Sequence, residues 1–446
     1  MCPLAAFALG VFAFGVSLPA DESIAFLTIA QGNRHARPAD GASASISADG
    51  RFVAFVSYAA LTSADTNSRA DIYVLDRSSG AVTLETPEYA ASSFDHALST
   101  PHLNGDGGVL VYVVSPRPDS GRATGRTIVI RDRKSGIARP LLAGGEPPNR
   151  DCRDPRITAD GRTVVFASSS TNFGDGADVN GIAEDVFAAD VGTMAVRRIS
   201  VDSAGHEIAA GSSYAPAASH DGRYVVFSST APQDGLPAPA RAGRARVDVY
   251  RRDTRLEVTD KISETAGGTA ANGSSYDASI SADGRFVAFV SEATNLTGAR
   301  DRNRAPDIYL RDTLARTTSL VSRNDRGDAA NGPSRRPALS SDGSVIVFQS
   351  DASDLRCGAR CRDADRDINL VSDIFAATRG PGSIRRVSTG RTPWMEPSIG
   401  PVIDGAGTVI AFSSRRPRHR GDDRDDYDLF VRGPVLSAAG PGGFPR

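Results

Sequence analysis

A chain of 446 residues with 51 basic and 53 acidic side chains carries a formal charge of −2, too balanced for wholesale attraction to nucleic acid or anionic lipid. Length alone suggests about three domains of ~150 residues, unless a single repeat architecture absorbs the whole chain. The basic residues are Arg except at Lys134 and Lys261, and they are scattered through the chain rather than clustered.

Residues 3–20 are apolar and uncharged and run directly into Asp21 and Glu22. They read as the h-region and cleavage zone of a signal peptide, so the mature chain is expected to begin at residue 21 and to be periplasmic or secreted, with no integral membrane span. Removal of Cys2 would leave Cys152 and the pair Cys357 and Cys361. That spacing is open to either a small disulfide loop or two free thiols.

Ile24 to Ile29 alternates as a strand, and after it a hairpin element recurs to the end of the chain. Its first copy is Ser47-Ala-Asp49-Gly50-Arg51 followed by Phe52-Val-Ala-Phe55. The aromatic that closes the run falls at positions 55, 112, 166, 227, 289, 348 and 412, in steps of 57, 54, 61, 62, 59 and 64 residues. Asp-Gly between two β-rich runs is a strong hairpin signal, because tight turns need positive φ. Each copy therefore predicts two strands, A and B. A second run begins with Asp71, Asp185, Asp248, Asp307, Asp373 and Asp428, with Thr127 as the variant of the second repeat, and predicts strand C. Strand D follows a short turn, as in Thr317 to Ser322, with the alternation of a half-buried strand.

Repeated four-stranded antiparallel units without helices hide their faces by packing radially. The expected fold is all-β, a seven-bladed β-propeller over residues 21–433. The last repeat stops after strand C at Gly433, so the N-terminal strand is expected to close the seventh blade and to leave no sheet edge open. Residues 434–446 form a Gly- and Pro-rich tail expected to be disordered.

The A–B and C–D turns share one face of such a ring, and the longer B–C and D–A connections share the other. Oxygen-rich segments recur in the B–C loops: Asp65-x-Asn67 before Asp71, Asp178-x-Asn180 before Asp185 with Asp175 nearby, Asp301-x-Asn303 before Asp307, and Asp367-x-Asn369 before Asp373. Carboxylates and amides spaced in this way can ligate calcium. They can equally close Asx-turns or latch strand C to its loop. No other cofactor is called for. The histidines lack zinc spacing, and Trp394 with Met395 reads either as a surface contact or as packing between blades.

With its Ser-x-Asp-Gly hairpins and Asp-Ile-Tyr strands, as at Asp307-Ile-Tyr309, the region 24–433 resembles the TolB-like β-propellers. That resemblance implies an extracytoplasmic protein that works by holding partners. The same hairpin occurs in propellers that cap prolyl-oligopeptidase-type hydrolases, but no Gly-x-Ser-x-Gly elbow is present in the sequence. Because the same groups repeat in nearly every blade, the expectation is a non-enzymatic scaffold that binds a protein or envelope polymer through the B–C/D–A face. A hydrolase or lyase acting at the channel mouth and a calcium-stabilised structural module are the alternatives.

Overall fold

The computed structural model describes residues 24–26, 44–67, 69–90, 98–115, 125–174, 178–207, 211–231, 246–355, 371–380, 382, 384–388, 396–415 and 428–433. All the strands among them fall into seven four-stranded antiparallel sheets, with a single helical turn at Pro87–Ala90. In blade 1 strands A to D are Ala44–Ile46, Phe52–Ser57, Asp71–Asp76 and Ala81–Leu84. The other blades repeat this order, ending with Ser398–Ile403, Ile410–Ser414 and Asp428–Arg432 in blade 7. The fourth strand of that blade is Ile24–Phe26, which pairs antiparallel with Asp428–Arg432 in the register Ile24 to Arg432 and Phe26 to Phe430. The seven-bladed ring with N-terminal closure is thus the architecture read from the repeats. Residues 1–23 and 434–446, which carry the leader and tail expectations, lie outside the described residues, as do Cys357, Cys361 and Trp394.

Strands pack between blades because each sheet is apolar on both faces. Seven buried clusters can be distinguished among the described residues, each drawn from two adjacent blades, including one that joins blade 7 to blade 1 through Val431, Leu429, Val53 and Tyr73. The periodic aromatic of strand B stacks on an aromatic of strand C, as in Phe289–Tyr309 with centroids 6.0 Å apart and Phe412–Phe430 at 5.7 Å. Each such ring contributes about 1.5–3 kcal/mol through burial. Cys152 is buried in one of these layers, and burial pushes its thiol up to about 12, so it is an unreactive core side chain.

The A–B turns are joined to one another. Asp49 N–H donates to Gly105 O, Gly105 to Ala159, Asp160 to His220, His220 to Ala282, Ala282 to Ser341, Ser341 to Gly405, and Gly405 back to Ala48, at 2.8 to 3.4 Å. In the turns of blades 1, 3, 4, 5 and 6 a Ser or Thr hydroxyl donates to the Asp carboxylate, for example Thr158 Oγ1 to Asp160 Oδ1 at 2.6 Å. It also accepts the N–H that opens strand B, for example Thr163 N–H at 3.0 Å.

Guanidiniums seal the same face. Arg285 forms a two-pronged pair with Asp312 at 2.9 and 2.7 Å and stacks over Phe286, a ring that Arg379 of blade 6 also meets, 3.9 Å from its centroid. Arg131 and Arg133 of blade 2 both pair with Glu85 of blade 1, so the charges on this face are staples between blades.

Deleting residues 21–32 should lower the melting temperature sharply and produce oligomers through the bared edge of Asp428–Arg432, as read by differential scanning fluorimetry and light scattering. The hairpin glycines offer a second check. Gly284 has φ +76°, and a Cβ there would lie 2.1 Å from Tyr224 Cδ2, whereas Gly80 has φ +72° and nothing within 4 Å. Gly80→Ala should cost about 1 kcal/mol from the backbone alone, and Gly284→Ala roughly 2–4 kcal/mol because overpacking is added, measured by denaturant titration.

Candidate functional site

Strand A of each blade packs against strand A of the next, all the way round, so these strands wall the central channel. In blades 2 to 7 the strand carries a bulge, and its third residue takes a positive φ: Thr100 at 49°, Asp154 at 48°, Ala215 at 50°, Asp277 at 54°, Arg336 at 54° and Gly400 at 63°. The fourth residue is Pro in five of the six, at 101, 155, 216, 337 and 401. Proline has no N–H to contribute to a ladder and loses nothing at a bulge. Left-handed backbone is costly for residues other than glycine, and the device is repeated in six blades, five of them with a side chain at the bulge.

Those side chains differ from blade to blade. Asp277 of blade 5 feels the guanidiniums of Arg336 in blade 6 and Arg156 in blade 3, and the carboxylate of Asp154 in blade 3. Blades 3 and 5 are not neighbours, so this coupling runs across the axis. Burial raises the Asp277 carboxyl above its ordinary value, Asp154 raises it further, and Arg336 and Arg156 act against the rise. His102, two residues after Thr100, accepts the Ile157 N–H on Nδ1 at 3.3 Å, which places its remaining proton on Nε2. Burial and the nearby Arg156 push its pKa down to about 3. Thr100 Oγ1 is buried without a hydrogen-bond partner among the described groups. The channel thus brings together a neutral imidazole, two carboxylates and two guanidiniums from blades 2, 3, 5 and 6. Reading the sequence for its repeat missed this site, because strand A is the position where the repeats disagree. The signal available was the sequence of third residues before the recurrent proline.

The oxygen-rich B–C segments close turns. Asp65 Oδ1 accepts Asn67 N–H at 3.1 Å and also takes the Tyr73 hydroxyl on Oδ2, Asp178 Oδ1 accepts Gly181 N–H at 2.7 Å, and Asp301 Oδ1 accepts Arg304 N–H at 2.8 Å. Asn303 Oδ1 accepts Ala305 N–H at 2.7 Å, and the Asn180 amide donates to Asp185 Oδ2 at 3.2 Å. Asp71, Asp185, Asp307 and Asp373, which open strand C, are each bonded by a Ser or Thr hydroxyl beyond strand D. Asp178, Asp185 and Glu207 bring oxygens within 4.8 Å of one another, with Arg198 paired to both Asp185 and Glu207. Asp175, Asp367 and Asn369 lie outside the described residues. On the same face, between blades 5 and 6, a hollow of about 570 Å³ is lined by Arg302, Asn303, Asp325, Arg326, Asp328 and Asp354 among others.

No protein-family model and no curated protein matches the sequence. Among solved structures, an oligogalacturonate lyase in complex with manganese superposes with a TM-score of 0.52 at 14% identity, covering 90% of this chain and 94% of that one. A structure from a study of two prolyl endopeptidases gives 0.52 at 12%, and the acylaminoacyl peptidase of Pyrococcus horikoshii 0.50 at 13%, each covering about half of the peptidase (51%) and 90% or 89% of this chain. At such identities the likeness establishes the propeller fold. No helix among the described residues is long and apolar enough to cross a membrane.

These findings correct the expectation of a non-enzymatic scaffold. The solved structures named above are enzymes, and the channel holds unlike ionisable groups from separate blades in place of the repeated set that the scaffold expectation assumed. The scaffold reading weighed the repeated hairpins and loops, which are structural, and passed over the unrepeated inner strands.

His102 supplies a pH test of the channel. Its folded pKa of about 3 lies below the ordinary 6.5, so an unfolded chain takes up the proton first as pH falls. Stability from this residue is therefore complete above pH 6.5 and is lost progressively toward pH 3. His102→Asn, which keeps an acceptor for Ile157 N–H, should show a shallower decline of melting temperature across that window than the parent protein.

Proposed function

We propose that this protein is a lyase acting on an acidic oligosaccharide held in the propeller channel. The observation that carries the reading is the convergence of Asp277, Arg336, Arg156 and Asp154 across the axis. Eliminative cleavage removes a proton from the carbon next to a carboxylate, forms a C=C bond and expels the glycosidic oxygen. It needs a base of raised proton affinity and cations that stabilise charge building on the carboxylate. Asp277 meets the first need as the group that takes the proton, and the guanidiniums of Arg336 and Arg156 meet the second as planar forks for a carboxylate. His102 contributes an N–H donor on Nε2, suited to orienting a sugar hydroxyl or the departing oxygen.

The lyase structure overlaps 90% of this chain over 94% of its own length, and the unlike ionisable groups lie in the propeller channel itself, which supports this class. Manganese in that lyase raises the question of a metal in this channel. The donor set does not fit one: His102 Nδ1 is taken by a backbone N–H, and two guanidiniums lie among the carboxylates. The signal-like segment at 3–20 and the hairpin resemblance to TolB-like propellers support an extracytoplasmic acidic polymer as the source of substrate.

Purified protein should generate the ultraviolet absorbance of an unsaturated uronic product from oligogalacturonate or a related acidic oligosaccharide. Asp277→Asn should lower kcat by ~10²–10⁴ with an unchanged circular dichroism spectrum, and Arg336→Ala should act mainly through KM. A base ionises above its pKa, so the acid limb of the rate profile should sit higher than an ordinary aspartate would give. Turnover that survives in Asp277→Asn, or release of amines from acyl peptides in place of unsaturated sugar, would refute the assignment.

A further inference from the structure

The strand-C aspartates are built alike in five blades and neutralised in only three. In each, Oδ1 accepts a hydroxyl from the far end of strand D: Thr86 to Asp71 at 2.7 Å, Ser200 to Asp185 at 2.7 Å, Ser263 to Asp248 at 2.8 Å, Ser322 to Asp307 at 2.7 Å and Ser388 to Asp373 at 2.5 Å. The same hydroxyl accepts the next N–H of strand C, for example Ile308 at 3.0 Å. The carboxylates are buried, Asp71 and Asp373 completely and Asp307 to within 1%. What differs is the strand-D residue two before the hydroxyl. It is Arg198, Lys261 and Arg386 in blades 3, 4 and 6, and Leu84 and Leu320 in blades 1 and 5. All five occupy one register position, opposite Phe187, Tyr250, Phe375, Tyr73 and Tyr309 respectively.

Where the residue is cationic it reaches the second oxygen: Arg198 Nε lies 3.6 Å from Asp185 Oδ2, Lys261 Nζ 3.5 Å from Asp248 Oδ2, where Arg246 adds a nearer contact at 2.9 Å, and Arg386 Nη1 3.2 Å from Asp373 Oδ2. Where it is leucine, Asp71 Oδ2 and Asp307 Oδ2 are buried with no hydrogen-bond partner. Further carboxylates act on each, Asp65 and Glu88 on Asp71 and Asp301 and Asp354 on Asp307; the Asn67 side chain is the polar neighbour of Asp71, and no guanidinium of the described residues is among the main influences on either. A desolvated carboxylate with a bare oxygen next to a second acid is strongly unfavourable without a counter-charge. The sister blades supply one as a side chain at that spot.

We propose that blades 1 and 5 each bind a hard divalent cation of the calcium class, which takes the place of the lysine or arginine of blades 3, 4 and 6. The ligands would be Asp71 with Asp65 and Asn67 in blade 1, and Asp307 with Asp301 and Asn303 in blade 5. All are oxygen donors on the B–C loop and the head of strand C, and two carboxylates per site match a double charge. Blade 3, whose loop is equally acidic, is excluded because Arg198 already lies between Asp185 and Glu207. The ions would pin two B–C loops to their sheets and are independent of the channel chemistry.

Isothermal titration of chelator-treated protein with calcium chloride should give two sites, and terbium should luminesce when Tyr73 and Tyr309 are excited. Leu84→Arg and Leu320→Arg should each remove one site. The double variant should bind none and yet melt in chelator at or above the chelated parent, because the side-chain cation has been restored. If those arginines prevent folding, Asp65→Asn with Asp301→Asn, which leaves the Thr86–Asp71 and Ser322–Asp307 bonds intact, must abolish binding instead. The proposal falls if millimolar calcium gives no heat and no shift in melting temperature, which would mean that the two carboxyls are held as neutral acids. It also falls if two sites persist in the double arginine variant.

Discussion

Closure of the ring is the constraint on which the rest of this structure depends. Seven backbone hydrogen bonds run from one A–B turn to the next and return to Ala48, and none can form unless every blade keeps the same tilt and spacing. That explains the uniformity of the turns. The residue before the turn Asp must offer its C=O sideways, that residue or the Asp itself must offer an N–H, a Ser or Thr holds the carboxylate in five of the blades, and the turn glycine must accept positive φ. At Gly107, Gly284 and Gly343 the aromatic ring of the preceding blade also sits where a side chain would be. Repetition in this protein records an assembly requirement more than a function.

With one rim held in this way, the inner strands have little freedom in their path but wide freedom in their side chains. The bulge at the third residue turns that freedom toward the axis. Because the bulged residues do not serve the sheet, Thr100, Asp154, Ala215, Asp277, Arg336 and Gly400 can differ without disturbing their blades. The channel is therefore the place where a symmetric scaffold holds asymmetric chemistry, and a carboxyl with raised proton affinity set against two guanidiniums from other blades is chemistry that no single repeat contains. The opposite rim shows the complementary logic: buried strand-C carboxylates hold the sheets together and each needs a counter-charge, which the chain provides as lysine or arginine in some blades and leaves to be provided in others.

The Asp-Gly turns, the aromatic period and the strand missing after Gly433 were sufficient to read seven blades and their N-terminal closure, since hairpin geometry and strand alternation are local properties that residue types specify directly. The roles of Asp65, Asp178 and Asp301 were legible only as a choice between turn and ligand. Residues within one loop show what they can donate, but not which side chain from strand D will meet them, so Arg198 in blade 3 and Leu320 in blade 5 separate two sites that look alike along the chain.

Most of the channel site was not legible. Asp154 and Asp277 are 123 positions apart, on blades that do not touch, and they influence each other only because seven wedges close around one axis. What the sequence determined by itself is the unit and its number, through short-range backbone preferences and burial periodicity. What only the tertiary structure decided is which unlike residues face one another across the ring, because that is fixed by closure, a property of all seven blades together and of none alone.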